Sequence, residues 1–221
     1  MTALTPAELA ARIDHTLLAA GATPAAIETL CAEAREHGFF AVCVNGVHVR
    51  RCVKELAGSA VRVASVVGFP LGANSPRAKA HEAHCALEDG AVELDLVIQI
   101  GALLAGDARL VVEDIADVVA SARPAGARVK AILETGLLSP EQVTRACLLA
   151  AEAGADFVKT STGFGPRGAS LEDIRLMRAA VGQRLGIKAS GGIRTRAFAL
   201  ELLAAGATRL GTSASVGILG P

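Results

Sequence analysis

Tryptophan and tyrosine are absent from the 221 residues, and phenylalanine occurs only six times. A base-stacking surface for single-stranded nucleic acid, or an aromatic-anchored protein interface, therefore lacks its usual material. Neither sign of charge is in excess, since 22 Lys and Arg balance 22 Asp and Glu. Without a basic surplus there is little counter-ion release to drive nonspecific nucleic-acid binding, and no polybasic attraction to a membrane surface. No apolar run approaches the roughly 18 residues of a transmembrane helix. Met1-Thr2-Ala3-Leu4-Thr5-Pro6 has neither the basic nor the apolar region of a secretory signal. Cys31, Cys43, Cys52, Cys85 and Cys147 are odd in number and include no CxxC pair. They are expected to be reduced, mostly buried thiols of a cytoplasmic protein.

What is present is a 52% hydrophobic chain, too apolar for disorder. Short β-branched runs alternate with Ala/Leu/Glu/Arg stretches. The runs predict strands at Ile13–Leu17, Phe39–Val44, Val61–Phe69, Val92–Ile98, Val129–Glu134, Ala155–Thr160, Leu185–Ala189 and Thr208–Thr212. Helices are predicted over Pro24–His37, Pro76–Glu88, Leu110–Ala122, Pro140–Ala153, Leu171–Val181 and Arg194–Ala205. Thr23-Pro24 and Ser139-Pro140 carry the cap-plus-proline start signal, and Gly38, Gly90, Gly154 and Gly206 mark helix ends. Strands joined through helices pair in parallel, and strands apolar along their length belong to a sheet covered on both faces. The expectation is a single-domain (β/α)₈ TIM barrel spanning residues 1–221, with a short N-terminal segment ahead of its first strand. An open doubly wound sheet is the rival arrangement.

In such a barrel the C-terminal strand ends form the active face. Those positions supply Asp14, Cys43, Asp95, Glu134, Lys159 and Lys188. A lysine inside an apolar strand is seldom there for packing, because burying an ammonium is costly. Lys159 and Lys188 end adjacent strands. Free lysine has a pKa near 10.4, and bringing it to about 7 requires roughly 4.6 kcal/mol. A second cation about 5 Å away supplies roughly 3 kcal/mol of this at an effective dielectric near 20. Desolvation can cover the rest, which is the known route to a Schiff-base lysine. The plainer alternative is an ion network with carboxylates. Strand alternation places Glu93, Asp95 and Val97 on one face, so Asp95 is either a proton relay or a counter-ion to a lysine. Cys43 reads as a pocket thiol or as a small buried hydrophobe, and Glu134 carries no assignment.

Two glycine-rich turns point to an anion. Ser190-Gly191-Gly192-Ile193 and Gly211-Thr212-Ser213 follow the last two predicted strands, where barrel phosphate sites often lie, and Gly163 adds another backbone N–H. His81 and His84 share a helix face without a third ligand of matching spacing, so no metal is expected.

At this point the segments Ile13-Asp14-His15-Thr16-Leu17-Leu18, Val67-Gly68-Phe69-Pro70-Leu71-Gly72, Glu93-Leu94-Asp95, Phe157-Val158-Lys159-Thr160-Ser161-Thr162-Gly163 and Lys188-Ala189-Ser190-Gly191-Gly192-Ile193-Arg194 can be taken together. In this order they resemble the deoxyribose-phosphate aldolase family. The resemblance implies a metal-independent class I aldolase without cofactor, acting on a small sugar phosphate and an aldehyde, and a homodimer. It implies reversible cleavage of 2-deoxy-D-ribose 5-phosphate to acetaldehyde and D-glyceraldehyde 3-phosphate. By motif, Lys159 would form the imine, Lys188 would lower its pKa, and Asp95 would be the acid/base. Asp14, Cys43 and Thr162 would belong to the substrate pocket, and Gly163, Gly191, Gly192, Gly211 and Ser213 to the phosphate cradle. Ala214 stands where a second serine is frequent, and Phe164 where some members carry a lysine. Two other functions fit the same residues: a lysine-dependent lyase for a different sugar phosphate, or a silent sugar-phosphate-binding protein.

Overall fold

The computed structural model describes residues 4–220. Eight strands, β1 (Ile13–Leu17), β2 (Ala41–Val44), β3 (Arg62–Val67), β4 (Glu93–Val97), β5 (Arg128–Ile132), β6 (Phe157–Lys159), β7 (Gly186–Ser190) and β8 (Arg209–Thr212), close into a barrel in sequence order. Every neighbouring pair is parallel, and β8 returns to β1 with Ile13 opposite Leu210. Closure excludes the open sheet. It also leaves no strand edge exposed for pairing with another chain.

Ten helices surround the strands: α1 (Pro6–Ala10), α2 (Pro24–His37), α3 (Val49–Glu55), α4 (Pro76–Glu88), α5 (Ile100–Leu104), α6 (Ala108–Ala122), α7 (Pro140–Glu152), α8 (Leu171–Val181), α9 (Arg196–Ala204) and α10 (Ser215–Leu219), as found among the described residues. None is long and apolar enough to cross a membrane. Helix α1 is the expected N-terminal segment, with residues 1–3 and 221 outside the described part. The side chains of Thr23 and Ser139 accept from the amides of Ala26 and Gln142, so the cap-plus-proline signals start α2 and α7 as expected. Helix α9 begins two residues later than the pattern predicts, because Thr195 is its cap and accepts from Phe198 N–H. Strand β3 ends at Val67 rather than Phe69, since Gly68 turns the chain with φ +63°.

Alternation along each strand separates two environments. Outward residues such as Val42, Leu94, Leu96, Val129, Val158, Ile187 and Leu210 join the helices in one continuous apolar core. Burying each such side chain contributes about 1.5–3 kcal/mol. Inward residues are divided. Cys43, Ala64 and Val66 of β2 and β3 pack with Leu18 and Phe69 as a small apolar cluster. The opposite interior wall carries Asp14, Glu93, Asp95, Lys130, Lys159, Lys188 and Arg209, all buried.

Candidate active site

Strand register brings those charges together. Asp95 pairs laterally with Lys130, Lys159 with Lys188, and Lys188 with Arg209. Lys130 Nζ lies 2.6 Å from Glu93 Oε2 and 2.7 Å from Asp95 Oδ1. Lys188 Nζ lies 2.5 Å from Asp14 Oδ2 and 2.7 Å from Asp95 Oδ2. Arg209 Nη1 reaches Asp14 Oδ1 at 2.9 Å and Glu93 Oε2 at 3.1 Å. Its guanidinium lies 3.4 Å from the centre of the Phe40 ring and 5.5 Å from that of Phe157. Gly186 makes room for Phe157, because a Cβ there would fall 2.2 Å from its ring.

Lys159 differs from the other cations. It contacts a single carboxylate, Asp95 Oδ2 at 2.8 Å. The buried cluster therefore holds four cations against three carboxylates, and Lys159 is the least compensated of them. Arg62 approaches Glu93 Oε1 only at 4.0 Å, from a half-exposed position. Burial depresses the Lys159 pKa, and the charge on Lys188 depresses it further against the pull of Asp95. Burial acts on Lys188 in the same direction, but Asp14 and Asp95 outweigh it and hold that pKa above its ordinary value. Burial alone would raise the carboxyl pKa values. Surrounding cations instead bring Asp14 down to about 2 and Asp95 well below the usual range. The Cys43 thiol, 3.8 Å from Asp95 Oδ2, is pushed up to about 11 by burial and by that carboxylate.

Above the cluster a cavity of about 590 Å³ opens at the C-terminal strand ends. Lys159, Thr162, Gly163, Gly191, Gly192, Gly211 and Ser213 line it, together with the apolar Leu17, Leu18 and Phe164. Gly163, Gly191 and Gly192 have φ values of +88°, +85° and +75°, conformations that favour glycine. The Phe164 and Ala214 amides are taken up by the hydroxyls of Thr162 and Thr212. A family model described as DeoC/LacD family aldolase matches residues 9–217.

The chain belongs to the DeoC/LacD family of aldolases.

Curated relatives agree. The chain is 55% identical over 214 residues to a deoxyribose-phosphate aldolase of Thermococcus kodakarensis, with 96% of each chain covered. It is 52% identical over 212 residues to that of Aciduliprofundum boonei, also with 96% of each covered. Among solved structures, the deoxyribose phosphate aldolase of Aeropyrum pernix, whose tetrameric structure is described as unique, superposes with a TM-score of 0.91 at 36% identity. That match covers 97% of this chain and 91% of the other.

Within this aldolase the expected site residues divide by depth. Seven of them form the cavity wall, whereas Asp95, Lys188, Asp14 and Cys43 are completely buried and do not line it. Asp14 and Cys43 thus lie below the pocket instead of on its wall. Gly211 has a steric role that its turn signature does not reveal, since a Cβ there would sit 2.8 Å from Lys188 Cε. Lys130, Glu93 and Arg209 complete the cluster and are not among the site residues that the sequence predicts. The rule that singled out Lys159 and Lys188 applies equally to Lys130, which sits between Val129 and Ala131 in a strand.

Proposed function

We propose that this aldolase reversibly cleaves 2-deoxy-D-ribose 5-phosphate to acetaldehyde and D-glyceraldehyde 3-phosphate through a Schiff base on Lys159. The observation that carries this reading is the placement of Lys159. It is the amine at the cavity floor, while its charge is the least compensated in the cluster beneath.

As the neutral amine, Lys159 adds to C1 of the open-chain aldehyde, and uptake of a proton by the resulting carbinolamine with loss of water gives an iminium. The iminium returns to the cluster the positive charge that the ammonium had carried. It withdraws electrons from C2, a base takes the C3 hydroxyl proton, and the C2–C3 bond breaks. D-glyceraldehyde 3-phosphate leaves, and an enamine of acetaldehyde stays on Lys159. Protonation at C2 and hydrolysis of the iminium release acetaldehyde and restore the amine. Lys188 remains charged and favours the neutral form of Lys159. Asp95 is the acid/base and acts through a water, because its carboxylate adjoins Lys159 Nζ but does not reach the cavity wall. Asp14 fixes Lys188 through a 2.5 Å contact.

The phosphate is taken by backbone N–H groups of Gly163, Gly191, Gly192 and the turn from Gly211 to Ser213. Thr162 shapes the wall beside them. The iminium performs the electron withdrawal that a metal would otherwise supply, so chelators should leave turnover unchanged. For assembly the reading is a homodimer, distinguishable by sedimentation velocity from a tetramer like that of the Aeropyrum relative. A cytoplasmic setting goes with five cysteines that are all free.

Borohydride reduction in the presence of acetaldehyde tests the chemistry. Peptide mapping should find an adduct of about 28 Da on Lys159, and deoxyribose 5-phosphate should be turned over. A folded protein without the adduct would overturn the imine reading and favour a silent binder. An adduct without turnover of this sugar would leave the imine and remove the substrate.

A further inference from the structure

Glu134, two residues beyond β5, is the one non-glycine residue with positive φ among the described residues, at +56°. That conformation is disfavoured for a side chain carrying a Cβ, and such outliers persist where the surroundings dictate them. The side chain is buried, with 3% of the residue exposed. Its Oε2 accepts from Thr162 N–H at 3.2 Å and from the Thr162 hydroxyl. The Thr162 Oγ1 accepts in turn from Phe164 N–H at 3.0 Å. Gly165 is shaped to fit, because a Cβ there would lie 2.7 Å from the Glu134 carboxyl carbon. The other carboxylate oxygen, Oε1, has no hydrogen-bond partner among the described residues. The next residue fastens the chain just ahead of that loop, with Thr135 N–H donating to Thr160 O at 2.9 Å.

Thr162, Gly163 and Phe164 line the cavity, and Glu134 does not. We infer that Glu134 is a positioning residue whose carboxylate clamps the 161–165 loop so that the Gly163 amide faces the substrate phosphate. This rests on the proposed reaction. An ordinary packing role does not call for a left-handed glutamate fitted into a glycine-sized gap beside a loop that it holds by two hydrogen bonds.

The test compares Glu134→Ala, Glu134→Gln and Glu134→Gly on two substrates, deoxyribose 5-phosphate and unphosphorylated 2-deoxyribose, with acetaldehyde trapping as a third readout. Loss of hydrogen bonds to a charged acceptor should raise KM for the phosphorylated sugar by about tenfold in Glu134→Ala, with kcat within about threefold. Trapping on Lys159 and kcat/KM for 2-deoxyribose should stay within about threefold of the parent. Glu134→Gln, which keeps an acceptor oxygen, should recover most of the loss. Glu134→Gly accepts the positive φ without penalty, so it separates the clamp from backbone strain and should show the same split as alanine. Equal losses on both sugars, or a parental KM in the glycine variant, would overturn the inference. A parent enzyme inactive on deoxyribose 5-phosphate would remove the proposed reaction along with it.

Discussion

A lysine with one carboxylate partner and a lysine with two should respond unequally to removal. Lys159→Leu leaves Asp95 paired with both Lys130 and Lys188. It should abolish imine formation while changing stability by less than about 1 kcal/mol, because deleting a surplus buried charge removes a desolvation penalty. Lys130→Met deprives both Glu93 and Asp95 of a close partner, leaving Arg209 as the one cation close to Glu93 within the cluster, and should cost about 1.5–3 kcal/mol. Calorimetric melting of the two variants checks the contrast. Lys188→Leu removes the positive neighbour of Lys159, so its ammonium becomes easier to keep. The acid limb of the kcat/KM profile should then move alkaline by about one pH unit, and an unshifted limb would deny Lys188 this role. Legibility at this scale followed polarity against pattern. Lys159, Lys188 and Asp95 stand out in apolar strands, and the structure joins all three. Glu93 and Arg209 do not stand out, because each lies at the start of a strand, where an ionic residue ordinarily faces water. Their partnership depends on register around the whole barrel, which no local window contains.

Among the elements, the helices with a proline start and a glycine stop were readable to within a residue. Helices α2 and α4 have the boundaries that the pattern predicts, α7 ends one residue short of them, and α8, which starts without a proline, matches as well. Helices α1, α3, α5 and α10 have five to seven residues, too short to show an apolar period, and are not predicted by the pattern. Helix α1 also has a local start signal, since the Thr5 and Glu8 side chains form a capping box around Pro6. Strand β6 is three residues long instead of six. Even so, it delivers Lys159 to the cavity, since the lateral pairing with β7 fixes that lysine opposite Lys188. The caps make a prediction at this scale. Thr23→Ala removes the acceptor for Ala26 N–H at the start of α2 and should cost about 1 kcal/mol. Helix α2 packs outside the barrel, and none of its residues lines the cavity. Its loosening should therefore lower the melting temperature without altering the acetaldehyde trapping rate.

For the molecule as a whole, the interior ion cluster sets the response to acid. Asp14 has a folded pKa of about 2 against an ordinary 3.8, and Asp95 is shifted in the same direction. Carboxyls depressed in this way contribute their full stabilisation above about pH 4, and it is lost as pH falls toward about 2. Far-UV circular dichroism should accordingly show a steep loss of structure across that interval. Retention of the folded signal at pH 2 would contradict it. Tryptophan emission is no substitute, as the chain has none.

The ionic wall of the barrel also has a thermal consequence. Hydration of charged groups becomes less favourable as temperature rises, so the cost of holding them away from water declines. An apolar interior gains nothing comparable, because its driving force per unit area levels off over the same range. Warming should thus relieve the region where folding meets its greatest electrostatic opposition. At elevated temperature the ionic wall would therefore oppose folding less than it does at about 25 °C.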